Sequence, residues 1–192
     1  MKNKWLVFYT KSRHEKKVSD ILNRRGFEVF LPLQKVMRQW TDRKKKVEVP
    51  LFNSYIFVAI PEHEITSILE VPGVSWNIKH NGKPAVLHPR ELETIKRFIE
   101  TGLLIEASSE LEKFSVGDWV KVTDGPLKGA RGLLVDSHNK HFFSMLLESI
   151  GQVITVQIDP QIMRRLNEKE LTELPEGMKS NPFGKESLFR KL

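Results

Sequence analysis

The segment that most constrains the fold runs from Gly117 to Gly132 and joins an alternating strand to a glycine-rich turn. Val120 and Val122 share one face of an extended chain, with a lysine between them on the other face, which is the period of a half-buried strand. Gly125 and Pro126 then predict a turn, because glycine accepts a positive φ and proline restricts its own φ. The segment therefore predicts a tight strand–turn–strand unit.

A second strand, Leu133–Val135, is predicted directly after this turn. Gly129 and Gly132 precede it, where glycine permits a close backbone approach or a bulge. Apolar stretches at 142–150 and 153–158 supply further strands, and about five short strands can close a small barrel. The residues predicted to shape the turn are Gly125, Pro126, Gly129 and Gly132.

Composition indicates a basic globular chain. Its 192 residues contain 31 lysines and arginines against 24 acids, a formal charge of +7. This excess suits a surface that faces a polyanion, although ordinary surface charge is the alternative. The chain has no cysteine, which excludes disulfides, thiolate nucleophiles and zinc sites built on sulfur.

Neither a membrane segment nor a secretion signal is expected. The longest apolar region, 49–60, is interrupted by Pro50 and is too short to cross a bilayer. The apolar run that follows Lys4 ends too soon for the core of a signal peptide. We therefore expect a cytoplasmic protein.

Four regions follow from the pattern along the chain. Residues 1–103 alternate strands with amphipathic helices, which predicts an α+β domain with an antiparallel sheet and flanking helices. The first helix is expected to begin at a capping box, Ser12–Glu15. Residues 104–113 are predicted as a linker, 114–167 as a small β-barrel domain and 168–192 as a poorly ordered tail.

Several segments together resemble the NusG family of transcription factors. Trp5–Lys11, Pro50–Val58 and Val71–Val74 resemble strands and a turn of its N-terminal NGN domain, and Gly117–Gly132 resembles its KOW motif. The order and spacing of these segments over about residues 4–166 carry the resemblance, which is strongest to the specialised RfaH-like and capsule-operon (UpxY-like) members. The implied fold is an α+β NGN domain followed by a KOW domain, an SH3-like small β-barrel.

The resemblance implies a transcription elongation or antitermination factor that binds the clamp helices of RNA polymerase and suppresses pausing or termination on specific operons. Aromatic and aliphatic side chains would form the contact, since such residues dominate interface hot spots. Because Tyr55 and Phe57 share one strand face, both could instead belong to the core. The candidate polymerase-binding residues are Tyr9, Phe52, Tyr55, Phe57, Ile95 and Phe98.

A second implied surface contacts nucleic acid, either the non-template DNA strand or the nascent nucleic acid. Basic residues cluster at the start of the first helix, where free amides and the helix dipole also favour phosphate. In the RfaH-like branch this region touches the non-template DNA strand, which maps onto Lys11, His14 and Lys17. The chain departs from that branch at Ser12 and Pro72, so its sequence preference should differ. The cluster comprises Lys11, Arg13, His14, Lys16 and Lys17, and ordinary surface charge at a helix end is the alternative.

A basic run on a predicted hairpin tip offers another set of phosphate contacts without base specificity. It comprises Arg43, Lys44, Lys45 and Lys46. Trp40 at its edge could stack on a base, but a core tryptophan at a strand end is the alternative.

The sequence also leads to expectations about protein partners and about catalysis. The KOW domain is expected to recruit a small ribosomal subunit protein or a termination factor, and the chain to act as a monomer. A ribosome-associated KOW protein that binds RNA is the alternative function. The six histidines show no metal-binding or catalytic spacing, so the sequence predicts no enzyme, no metal and no cofactor.

Overall fold

The computed structural model describes residues 3–39, 44–80, 82–103, 105–108, 115–137, 140–147 and 149–174. The chain divides into two compact units, Met1–Lys96 and Arg97–Leu192. None of the helices within these described ranges is long and apolar enough to cross a membrane.

The first unit is an α+β domain, as its alternating pattern predicts. Its strands are β1 (Lys4–Thr10), β2 (Glu28–Phe30), β3 (Leu33–Gln39), β4 (Lys44–Pro50), β5 (Tyr55–Ile60), β6 (Val74–Asn77), β7 (Lys79–His80) and β8 (Lys83–Pro84). Its helices are α1 (Glu15–Arg24), α2 (Ile65–Leu69, preceded by a 3₁₀ turn at Glu62–Glu64) and α3 (Pro89–Glu100), the last of which runs into the second unit.

The central sheet of this unit has the strand order β2-β5-β1-β6, with antiparallel pairing throughout. Alternate residues of β1 and β5 face the helices, as the period of a strand requires. This face buries the core, which includes Leu6, Phe8, Val18, Leu22, Ile56, Val58 and Ile68. The opposite face carries the odd-numbered residues of β1 and β5, among them Tyr9, Tyr55 and Phe57.

The predicted capping box at α1 is wrong. The N-cap is His14, whose side chain makes no capping hydrogen bond, and Arg13 before it has a positive φ of 63°. The Glu15 carboxylate is instead buried and accepts a hydrogen bond from the Ser54 amide at 2.7 Å. The Glu15 carboxylate therefore binds a distant backbone amide instead of the amide at the start of its own helix.

The second unit is a six-stranded antiparallel sheet of order β14-β10-β11-β12-β13-β9, one strand more than predicted. Its strands are β9 (Ile105–Ser108), β10 (Ser115–Val122), β11 (Arg131–Ser137), β12 (Lys140–Leu147), β13 (Gln152–Gln157) and β14 (Met163–Arg165). A 3₁₀ turn at Pro160–Ile162 precedes β14, and α4 (Glu168–Thr172) follows it.

The extra strand lies inside the predicted linker, so the prediction for that part is wrong. β9 pairs with β13 from Ile105 opposite Val156 to Ser108 opposite Val153. The small and acidic residues that suggested a linker are compatible with an edge strand because the neighbouring strand supplies the pairing. Residues 104 and 109–114 lie outside the described part.

The predicted disorder of the tail is also wrong for its first residues. Asn167 and Glu170 form a capping box at the start of α4, and Arg164 contacts both carboxylate oxygens of Glu170 at 2.7 Å. The Arg164 guanidinium, with further hydrogen bonds from Asn167 and Lys121, lowers the pKa of Glu170 to about 2. Because the pKa of Glu170 is lower in the folded chain, its ionised carboxylate stabilises the fold above the pKa of a free glutamate. This contribution to the free energy of unfolding is lost as the pH falls toward 2. The tail beyond Leu174 lies outside the described residues.

The glycines of the KOW-like segment have two different roles. Gly125 and Gly129 have φ of +76° and +86°, and the Gly129 amide donates to the Val122 carbonyl at 2.8 Å, which closes the turn that Gly125 and Pro126 predict. Gly132 lies in β11 rather than in the turn. A Cβ atom there would overlap the Ser144 carbonyl oxygen and lie 2.8 Å from the Phe143 ring. The close backbone approach predicted for these glycines is confirmed at Gly132.

Replacing Gly132 by alanine is expected to lower the free energy of unfolding of the second unit by about 3 kcal/mol, since overpacking against backbone cannot be relieved by a rotamer change. Denaturant unfolding of the full chain measures this. Gly129→Asn is the matched control: Gly129 has open space around it, and asparagine tolerates a positive φ. Equal stability losses in the two variants would contradict the assignment.

Candidate interaction surface

Three aromatic side chains form a row across the sheet face that lies opposite α1 and α2. Tyr9 in the middle strand is paired in register with Tyr55 on one side and with Trp76 on the other. The Tyr9 and Tyr55 rings meet edge to face with centroids 5.6 Å apart, and the Tyr9 and Trp76 rings stack at 4.5 Å and 8°. We call Tyr55, Tyr9 and Trp76 the aromatic row.

The aromatic row reaches the surface. Tyr9 and Tyr55 are half-buried, and Trp76 is 54% exposed. Rings in mutual contact lose little conformational freedom on binding a partner, because their rotamers are already restricted. The row therefore has the features of an interface hot spot: large apolar area, rigidity and partial exposure.

Two of the predicted contact residues are buried in the core. Phe57 is fully buried, with its ring centroid 5.9 Å from that of Phe30 and 6.1 Å from that of Phe52. Phe52 is also buried, at 2% exposure. The prediction that Phe52 and Phe57 are exposed contact residues is wrong, because their neighbours cover both rings. They are core residues of the first unit.

The two predicted residues of α3 are buried as well. Ile95 and Phe98 are completely inaccessible to solvent. In the second unit, the Phe98 ring stacks on Phe143 with centroids 5.9 Å apart, and the Arg97 guanidinium donates to the carbonyls of Pro126 and Lys128. The prediction that Ile95 and Phe98 extend the exposed patch is wrong, since both contribute to packing.

The loop before Tyr55 is fixed from two sides. Ser54 has a positive φ of 65°, which is uncommon outside glycine. Its amide donates to the Glu15 carboxylate at 2.7 Å, and its carbonyl accepts from the Thr10 amide at 2.8 Å. The first turn of α1 and the end of β1 thus determine where Tyr55 enters the sheet.

Sequence reasoning missed Trp76. The turn Val71–Val74 predicts a strand after it, but the strand alone does not tell which of its faces is covered. The signal that could have found this residue is the pairing of β6 with β1, which places Trp76 opposite Tyr9. Such pairing between distant segments is not visible in a single sequence.

The predicted basic cluster at α1 is present on the surface. Lys11, Arg13 and Lys17 are exposed. Lys16 is exposed but donates from Nζ to the Glu48 carbonyl at 2.8 Å, and the half-buried His14 has Nδ1 3.0 Å from the Ser12 carbonyl oxygen. Among the described residues, the side chains of Lys11, Arg13 and Lys17 form no hydrogen bond or ion pair, so these three of the five predicted residues are best placed for phosphate.

The predicted basic hairpin is the two-stranded ribbon β3–β4. Arg38 lies opposite Lys45 in its register, and Met37 lies opposite Lys46. Lys45 and Lys46 are exposed. Arg43 and Trp40 lie outside the described residues, and for Arg38 and Lys44 only the backbone is described.

Comparison with known proteins decides the family of the first unit. Residues 3–96 match the family described as "Transcription termination factor nusG". The first unit belongs to the NusG family. This match, over the segment that forms the first unit, confirms the family predicted from the strand and turn motifs.

The fold of a known NusG agrees with this assignment. The structure titled "Domain interaction in Thermotoga maritima NusG" is 22% identical, with a TM-score of 0.54, and the match covers 87% of this chain and 99% of that chain. The predicted architecture, an α+β NGN domain followed by a strand-rich KOW domain, is confirmed. NusG-family proteins are transcription factors rather than enzymes, and they act with RNA polymerase and nucleic acid in elongation and termination.

Proposed function

We propose that this NusG-family protein binds the clamp helices of RNA polymerase through the two tyrosines of the aromatic row, Tyr9 and Tyr55, and suppresses pausing or termination on specific operons. It acts as a cytoplasmic monomer. The KOW domain recruits a further protein, either a small ribosomal subunit protein or a termination factor. The observation that carries the proposal is the edge-to-face pair of Tyr9 and Tyr55, an ordered aromatic surface on the NusG-family domain.

The geometry supports a helical protein partner for Tyr9 and Tyr55. Both rings are half-buried, so each offers apolar area without being free to move. The buried rings of Phe57 and Phe52 pack against each other in the core of the same domain. A surface of this kind buries area at low entropic cost, which suits the apolar side chains of a coiled coil.

The exposed lysines at α1 support contact with the displaced non-template DNA strand. Lys11 and Lys17 lie at the start of the helix, and the Lys11 amide donates to the Gly73 carbonyl at 2.8 Å, which fixes the chain beside the turn. The exposed lysines of the β3–β4 ribbon, Lys45 and Lys46, add positive charge on the same domain. These contacts would be to phosphate and would supply affinity rather than base recognition.

Loss of Lys11 and Lys17 is expected to weaken single-stranded DNA binding and to reduce its salt dependence. Removing two phosphate contacts should lower the slope of log affinity against log salt by about 1.4. Fluorescence anisotropy with a labelled oligonucleotide over a salt series measures the slope. The matched control replaces Arg24 and Arg25, two exposed arginines at the other end of α1. An unchanged slope in the Lys11 and Lys17 variant would reject the DNA contact.

A read-through assay with purified RNA polymerase tests the function as a whole. The protein is expected to raise read-through at pause and termination sites on a responsive template. The Lys11 and Lys17 variant should lose more of this activity than the Arg24 and Arg25 control at low salt, where phosphate contacts matter most. Failure to alter pausing or termination on templates that carry the protein's own operon leader would refute the proposal.

A further inference from the structure

Trp76 has an environment unlike that of the two tyrosines in the row. It lies on β6, at one end of the four-stranded sheet order. One face of its ring stacks on Tyr9 at 4.5 Å and 8°, yet the residue is 54% exposed. A parallel stack that ends in an exposed ring leaves a flat π surface, to which another planar group can add.

The chain around Trp76 is basic. Exposed Lys79 and His80 follow it in sequence, and exposed Lys11 lies beside the turn that precedes β6. Among the described residues from 70 to 83, Glu70 at the end of α2 is the only acid. An exposed aromatic ring flanked by cations matches the pattern by which proteins hold single-stranded nucleic acid, with bases stacked on rings and phosphates near lysines.

We propose that Trp76 is a stacking platform for one base of single-stranded DNA, and that Lys11 and Lys79 contact the phosphates on either side of that base. The inference rests on the proposed function, in which the displaced DNA strand passes the start of α1. Tyr9 then has two roles: its half-buried ring supports the tryptophan from behind and also contributes to the polymerase contact.

The charge of the surroundings favours a nucleobase over a protein side chain as the occupant. An apolar protein partner would cover the ring without supplying an anion for Lys11, beside the preceding turn, or for Lys79, three residues after Trp76. A DNA strand brings a phosphate with each base, so it satisfies the ring and the cations together. Stacking requires no particular base, so the platform adds affinity for exposed bases of any sequence.

Binding of the full chain to two single-stranded DNA oligonucleotides of equal length and charge tests the platform. One oligonucleotide is intact, and the other carries abasic positions along its centre. The Trp76→Ala variant is expected to bind the intact strand about 5- to 100-fold more weakly than the wild type, as loss of one stacked base implies. The Trp76→Phe variant keeps a ring and should retain most of the affinity.

The abasic strand provides the decisive comparison. The wild type should prefer the intact strand, and Trp76→Ala should bind both strands alike, with an unchanged salt slope. Equal losses of affinity for both strands would overturn the platform, as would tighter binding to an RNA strand of the same sequence than to DNA. The same variant is expected to bind core polymerase without DNA as the wild type does, and a loss there comparable to that of Tyr55→Ala would assign Trp76 to the protein contact instead.

The two proposals fail separately in this design. If the tyrosine variants bind core polymerase normally, the polymerase surface is rejected while the stacking result stands. If Trp76→Ala binds both oligonucleotides as the wild type does, the platform is rejected while the polymerase surface stands. Thermal unfolding of each variant separates both results from loss of the fold.

Discussion

Replacing Tyr9 and Tyr55 together by alanine is expected to weaken binding to core RNA polymerase by about a thousandfold. Each ring has the properties of an interface hot spot, and loss of one such ring costs about 2 kcal/mol or about 30-fold in affinity. Both rings are half-buried and linked edge to face at 5.6 Å, so they act as one surface. Titration of labelled protein with purified core enzyme measures the change.

The control for this experiment is Leu69→Ala. Leu69 is a large apolar residue that is 40% exposed on α2, on the other side of the sheet from the aromatic row. Its loss removes exposed apolar area without touching the row. If Leu69→Ala weakens polymerase binding as much as the tyrosine pair does, the contact surface is not the row. A far-ultraviolet spectrum and a melting curve show whether each variant is folded.

Phe57→Ala is expected to destabilise the first unit by about 3–5 kcal/mol, the usual cost of removing a fully buried phenylalanine. Its ring contacts Phe30 and Phe52 and is inaccessible to solvent. Denaturant unfolding followed by fluorescence measures the loss. Tyr55→Ala is the matched control, because it lies two residues away on the same strand and face but is half-buried.

Comparing these two variants distinguishes a residue that stabilises the fold from a residue that contacts RNA polymerase. Phe57→Ala should lose stability, and any loss of polymerase binding should disappear when the temperature is lowered enough to keep the domain folded. Tyr55→Ala should lose binding at every temperature and change stability much less. A Phe57→Ala variant that is as stable as the wild type would mean that the ring is not part of the core.

The strand pattern shows why only part of the surface could be predicted from the sequence. A period of two places Tyr55 and Phe57 on one face of β5, and the register of the sheet agrees. The period does not tell which of them is covered, because the covering rings, Phe30 and Phe52, come from other segments. Burial at this position is decided by tertiary packing that the strand itself does not encode.

A local sequence motif predicted the structure correctly where the groups that it binds are close in sequence. The turn at Gly125 and Gly129 has the positive φ values that its glycines predict. The Ser12–Glu15 motif failed because Glu15 binds the Ser54 amide, 39 residues away. Strand β9 was missed for a similar reason, since β13 stabilises it across the chain. The basic surface at α1 was predictable because charge density follows directly from the residues.

Sedimentation of tagged protein from cell extract through a gradient tests the central claim most directly. The account predicts that the wild-type chain migrates with RNA polymerase and that the Tyr9 and Tyr55 double variant migrates as free protein. Salt-resistant migration with ribosomes and without polymerase, or a double variant that stays with polymerase, would contradict it.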